Sequence, residues 1–324
     1  MITLFDTSAK RLGLTSNIEA NATDPCVFGF MQQTETLSIP VTPLPSYLNF
    51  TYDGLLGWHA LSGTVLKIEP ATNTFVFLPH GEVHAGDRFA IDPESPFLTL
   101  QAEHAKQVGS RIVLDTGNDR GGVVLTHNEW AAWRKEHQKL PSTLSGYFMP
   151  GVGTIAKEEV WVKEFSLGKT TLVDLPIAEA NDTEERIMNA AGAKLILGMV
   201  ALKNSILVLD GPNGVAFLAA APTQIHAINY NRLGAVFLAQ DGDHDELIAT
   251  VVQKSPAYRS GIRAGDVLVA INELDVTKWR TQPDILPLDR FWRMPAGTKY
   301  TLTLKRKQKV TTSSVVLQDL FDLE

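Results

Sequence analysis

The chain has 324 residues, 44% of them hydrophobic and 20% charged, with a formal net charge of −7. That length predicts two or three domains with ample core, and that charge argues against nucleic acid, whose phosphates need a basic stripe. The single cysteine, Cys26, excludes an intramolecular disulfide and a cysteine-built metal site, and no stretch nears the roughly 20 apolar residues of a membrane span.

In chain order, the first predicted strand is "ITLF", which delivers Asp6-Thr7-Ser8. "DGLLGWHALSGTVLKIEPATNTFVFLP" at 53–79 then reads as an apolar-Gly turn followed by two strands, "TVLKI" and "TFVFL". At 111–124 comes "RIVLDTGNDRGGVV", where a buried-looking strand carries a carboxylate, Asp115, into Thr116, Gly117 and a glycine-rich turn. A lone Asp at a strand end followed by Thr-Gly is also a common turn that bonds its own backbone. The clearest helical period is "THNEWAAWRKEHQKL" at 126–140. Thr126 is its N-cap, Glu129 the capping-box partner, Trp130 and Trp133 share a face, and Pro141 stops it. "GYFMPGVGTIAKEEVWV" reads as a hairpin with Gly151 and Gly153 at its tip. Tyr147 in it either lies over a ligand or packs on the core.

The chain repeats itself. Leu56, Gly57, Ala60, Leu61 and Leu66 align with Leu197, Gly198, Ala201, Leu202 and Leu207, and each set runs on into strand, turn and strand. Upstream, "LFDTSAKRLGL" aligns with "VLDTGNDRGGVVL". The copies are unequal: Asp6 precedes Gly57 by 51 residues, while Asp115 precedes Gly198 by 83. Domains are therefore expected at 1–105, 106–222 and 223–324, mainly β throughout. From 223 the character changes to strand, strand, short helix, strand and a closing hairpin whose solvent tip holds "KRKQK". The acidic "DGDHDE" at 241–246 lacks the spacing of a calcium loop. His80, His84 and His104 show no metal-ligand spacing, so no metal is expected.

Two Asp-Thr-Gly/Ser motifs, each followed by an apolar-apolar-Gly motif, resemble the aspartic proteases in their compact bacterial retropepsin-like form. The resemblance covers about residues 1–222. It implies two duplicated β-barrel lobes and a catalytic dyad of Asp6 and Asp115 that shares one proton and activates a water on a peptide bond. Thr7, Ser8, Thr116, Gly117, Gly57 and Gly198 are implied as its supports, and Tyr147, Gly151 and Gly153 as a flap. No cofactor is implied. "SPAYRSGIRAGDVLVAINELDV" resembles a PDZ domain in the permuted bacterial arrangement. That likeness implies a C-terminal peptide held by the N–H groups of Leu233, Gly234 and Ala235, with Val236 and Phe237 opening the strand that a peptide augments. Together they predict an aspartic-type endopeptidase acting on a peptide or protein substrate as a monomer. The alternatives are a homodimer using two copies of Asp115 and an inactive, protease-like peptide binder. The resemblance also implies a periplasmic or secreted location, although "MITLF" before Asp6 carries no signal peptide.

Overall fold

The run Ile112-Val113-Leu114 is apolar at every position because its strand is buried on both faces. Ile112 and Leu114 enter the main core, while Val113 packs with Val124, Ile196 and Met188 on the other side. Such runs suit strands in the interior of a sheet covered on both faces. The computed structural model of the protein describes residues 2–14, 16–17, 22–23, 25–30, 33–42, 54–102, 111–149, 152–225, 229–239 and 245–321. It is mainly β, and among the described residues no helix is long and apolar enough to cross a membrane.

A 12-stranded sheet forms the body. One end is the hairpin Thr143–Met149 and Gly153–Leu167, followed by Thr170–Glu179. The aspartate strand Arg111–Asp115 lies inside the sheet, parallel to Leu195–Gly198. At the other end sit two hairpins, Ser205–Asp210 with Val215–Ala220 and Val65–Glu69 with Thr74–Leu78. They meet through the antiparallel pair Leu207 and Ile68, so the two copies of this part of the repeat are neighbours in a single sheet.

The two copies of the acid motif are built differently. In the second, Asp115 lies directly across a parallel ladder from Gly198. In the first, Gly54–Leu56 runs antiparallel to Ile2–Phe5, with Leu56 opposite Ile2 and Gly54 opposite Leu4. Gly57 therefore continues past Ile2, away from Asp6, by about five residues or roughly 16 Å of strand. The duplication is visible in the hairpins, but the expected pair of matching retropepsin-like lobes is not reproduced.

Helix His127–Glu136 begins at the expected N-cap, with Thr126 Oγ1 accepting from Glu129 N at 3.3 Å and Trp130 stacked on Trp133 at 5.5 Å. Glu129 does not close the expected capping box: Thr126 N donates to Lys194 O, and Glu129 Oε1 accepts from Lys194 Nζ at 2.7 Å. It stops short of Pro141 because His137 stacks on Trp133, and Arg134 donates to the carbonyls of His137 and Leu140. A second helix, Asp182–Ala191, was not apparent in the periodicity. Asn181 and Glu184 close a reciprocal capping box at its start, and Gly192 ends it at φ 61°.

The C-terminal residues form a six-stranded sheet whose edge strand, Ala235–Ala239, pairs antiparallel with Leu247–Val251. Its core holds Phe237, Trp279, Trp292 and Leu302. The basic run sits at the turn between Lys299–Arg306 and Lys309–Val316. This sheet is fastened to the body. Arg120 Nη1 pairs with Asp289 Oδ2 at 2.6 Å, Thr143 Oγ1 donates to Asn231 O at 2.6 Å, and Phe321 packs into the main core.

Candidate functional site: a cleft shared by the Asp115 loop and the C-terminal sheet

The loop after Asp115 is stitched to the turn opposite it. Met199 N donates to Asn118 O at 2.9 Å, Val200 N to Gly121 O at 3.0 Å and Gly198 N to Gly122 O at 2.8 Å. A Cβ at Gly198 would fall 2.4 Å from Gly121 O, which is why that position carries no side chain. Within the loop, Gly117 N donates to Asp115 Oδ1 at 3.1 Å and Gly121 N to Asn118 Oδ1 at 2.7 Å. Thr116 is exposed.

Asp115 faces a cleft of about 540 Å³. Its walls come from the body (Asn118, Arg120, Tyr147, Phe148) and from the C-terminal sheet (Val236, Leu238, Leu286, Leu288), with Phe5 and Leu55 adding an apolar patch. The hairpin expected as a flap is present: Tyr147 pairs with Ile155, and Met149 pairs with Gly153, which sits at φ 104°. Gly151 lies outside the described residues. The Tyr147 ring lines the cleft, while its hydroxyl lies 3.5 Å from Glu184 Oε1.

Behind Tyr147 is a buried ion pair, Lys157 with Glu184, whose Oε2 also accepts from Asn181 N at 2.8 Å. Burial pulls the Lys157 ammonium below the usual lysine range, against the pull of Glu184. Burial pushes the Glu159 carboxyl up, although Trp161 Nε1 donates to it at 2.9 Å. The Tyr147 hydroxyl is raised by burial and by the Glu184 charge.

Asp115 is open to the cleft yet surrounded by protein. Desolvation holds its carboxyl above the usual range, assisted by the negative charge of Glu184 and opposed by the Gly117 and Asn118 N–H groups. A proton is then bound more tightly in the folded state than in the unfolded chain. Asp115 therefore favours folding most below the ordinary carboxylate pKa, and that contribution is lost as pH rises through the raised folded value. Asp115→Asn, which keeps an oxygen for Gly117 N, should raise the melting temperature at pH 7, and only slightly, because Asp115 is exposed and solvent screens its charge. The gain should vanish at pH 3. Thermal denaturation at both pH values checks this, and a lower melting temperature at pH 7 would contradict it.

Asp6 is the first residue of a short helix, Asp6–Arg11, and is half-buried. Ser8 is buried. Thr7 lies in the same helix. From this segment it is Phe5 and Leu55 that line the cleft. Glu184 adds a negative charge that acts on Asp115, and it did not stand out in the sequence because a Glu in the first turn of a helix is ordinarily a solvated cap.

The orientation of the backbone groups of the edge strand Ala235–Ala239 follows from strand register. Val252 N donates to Gly234 O at 3.0 Å, and Ala235 lies opposite Val251. In an antiparallel ladder, Ala235, Phe237 and Ala239 then turn their N–H and C=O groups outward, away from the inner strand. A second edge strand, Thr143–Met149, lines the same cleft. Residues 247–306 match the family model described as a PDZ domain. The C-terminal sheet carries a PDZ domain. The edge strand Ala235–Ala239 precedes the matched residues and belongs to the same sheet.

No curated protein matches the chain. Two solved structures that match are titled as the HtrA-type protease AlgW with decapeptide, one of them a serine-to-alanine variant. The variant is 19% identical over 55% of this chain, with a TM-score of 0.22. The other is 14% identical over 54%, with a TM-score of 0.23. This chain spans 59% and 60% of theirs. The expected aspartic-type endopeptidase, with its aspartyl and retropepsin-like assignment, does not hold against these matches, which are to HtrA-type proteases. The geometry supplies a physical reason: among the described residues, the Asp6 motif lacks the parallel glycine partner that Asp115 has. At these TM-scores the likeness assigns no activity to this chain.

Proposed function

We propose that the protein binds an extended polypeptide segment along the outer edge of Ala235–Ala239, in the cleft that its PDZ domain, taken as 223–324, shares with the Asp115 loop and the hairpin at Tyr147. The single observation that carries this reading is the composition of the cleft, which is lined at once by a PDZ groove strand and by the body. The outward N–H and C=O groups of Phe237 and Ala239 supply the backbone partners, each such bond being worth about 0.5–1.5 kcal/mol net. Leu238, Leu286, Leu288 and Phe148 supply apolar contacts for alternate side chains. Asp115 stands beside that path, exposed to the cleft, where its carboxylate oxygens can accept a hydrogen bond from a peptide N–H.

The test is a titration of the whole protein against a fluorescein-labelled peptide of about ten residues alternating apolar and polar side chains, read by anisotropy. Saturable binding, competed by the unlabelled peptide, is expected. No binding at any peptide concentration up to about 1 mM, the weak end of useful affinity, would overturn the reading.

A further inference from the structure

The resemblance to PDZ domains implies that the loop ahead of the groove strand offers free backbone N–H groups to the carboxylate at a peptide's C-terminus. In this chain two of those three groups are already bonded. Asn231 Oδ1 accepts from Leu233 N at 2.9 Å and from Gly234 N at 3.2 Å. The other end of the same side chain is equally committed, since Nδ2 donates to Ala235 O at 2.8 Å and to Leu144 O at 2.9 Å. Asn231 is buried, and its own carbonyl accepts from Thr143 Oγ1. An amide oxygen from within thus occupies the place that a ligand carboxylate would take from outside.

The surroundings keep the loop closed. Gly234 sits at φ +70°, and a Cβ there would fall 2.4 Å from Ser255 Cβ, so the loop already presses on the helix start behind it. Leu233 is wholly buried. The nearby cation, Arg232, pairs with Asp319 at 2.7 Å and donates to Arg293 O at 3.1 Å. A carboxylate that displaced Asn231 Oδ1 would leave a buried amide group without its partners and loosen the tie to the body at Leu144. That exchange loses at least as many hydrogen bonds as it makes.

We infer that the groove reads an internal segment of an extended polypeptide, for which Asn231 makes a free C-terminal carboxylate unnecessary. The inference rests on the peptide-binding reading above and narrows its ligand class. Three peptides of one sequence separate the two claims: the free acid, its C-terminal amide, and a version extended by about five residues beyond the groove-binding stretch. With the whole protein, their dissociation constants should agree within about twofold. A free acid that binds at least about tenfold more tightly than the amide would overturn the inference and leave peptide binding intact. Binding of none of the three would overturn both. Asn231→Ala frees the two loop amides, so the folded variant should gain a preference of several-fold for the free acid. A variant shown to be folded by circular dichroism but without that preference would contradict the assignment of Asn231 as the occupant. If the variant does not fold, the three wild-type affinities decide.

Discussion

Replacing Lys157 with methionine should lower the free energy of unfolding by about 3–5 kcal/mol, the usual cost of removing one member of a buried ion pair. Lys157 and Glu184 have side chains only 8% and 4% exposed, so water cannot replace the lost cation. The carboxylate left behind would keep Asn181 N and the more distant Tyr147 hydroxyl, neither of which carries a charge. The effect should reach the cleft, because Tyr147 lies between the pair and the cavity. The double variant Lys157→Met with Glu184→Gln removes both charges and should recover most of the loss. Urea unfolding of the three proteins at pH 7 measures this directly. A single variant within about 1 kcal/mol of the parent would show that the pair does not carry the stability assigned to it.

The second large effect is on binding. Leu238→Asp should weaken the extended peptide by at least tenfold, about 1.4 kcal/mol, with little change in melting temperature. Leu238 is only partly buried, lines the cleft, and reaches toward Gly146, where a Cβ would fall 2.8 Å from Leu238 Cδ2. A carboxylate there faces the ligand instead of the PDZ core, which is built from Phe237 and Ala235 on the other side of the strand. The change removes apolar contact from the bound peptide and asks a charge to lose water when the peptide arrives. Anisotropy titration alongside a thermal melt separates the two quantities. An unchanged affinity would place the peptide elsewhere.

How much of this was written in the sequence depended on whether the signal was local. The strand into Asp115 and its pairing with Gly198 were legible because a doubly buried apolar run and a close backbone approach restrict residue types at fixed positions. The strand–turn–strand repeats were legible for the same reason, and they form adjacent hairpins. The match between Asp6-Thr7-Ser8 and Asp115-Thr116-Gly117 was misleading, because three residues record a turn and carry nothing about the direction of the strand beside it. In the first copy the strand that leads into Gly57 is antiparallel, which moves Gly57 to the far end of Ile2–Phe5, and the parallel neighbour is Val41–Thr42 instead.

Charged residues hid their roles. Lys157 stands in a strand of mixed polarity and Glu184 in the first turn of an acidic helix start, and both patterns ordinarily mean a solvated face. Only the packing of Asp182–Ala191 against the sheet brings them together. Arg120 and Asp289 are separated by 169 residues, a distance over which spacing holds no information. Asn231 carried no signal in the sequence, and its ties to the body, to Leu144 O and from Thr143 Oγ1, come from residues 87 and 88 positions away.

The account's central claim is that peptide adds to the outer edge of Ala235–Ala239. Amide hydrogen exchange, followed residue by residue during titration with the extended peptide, tests it most directly. The exchange of the outward Phe237 and Ala239 amides should slow as the groove fills, while the inward Leu238 amide, already bonded to the neighbouring strand, should change little. Saturable binding that leaves Phe237 and Ala239 exchanging at their free rates would contradict the claim.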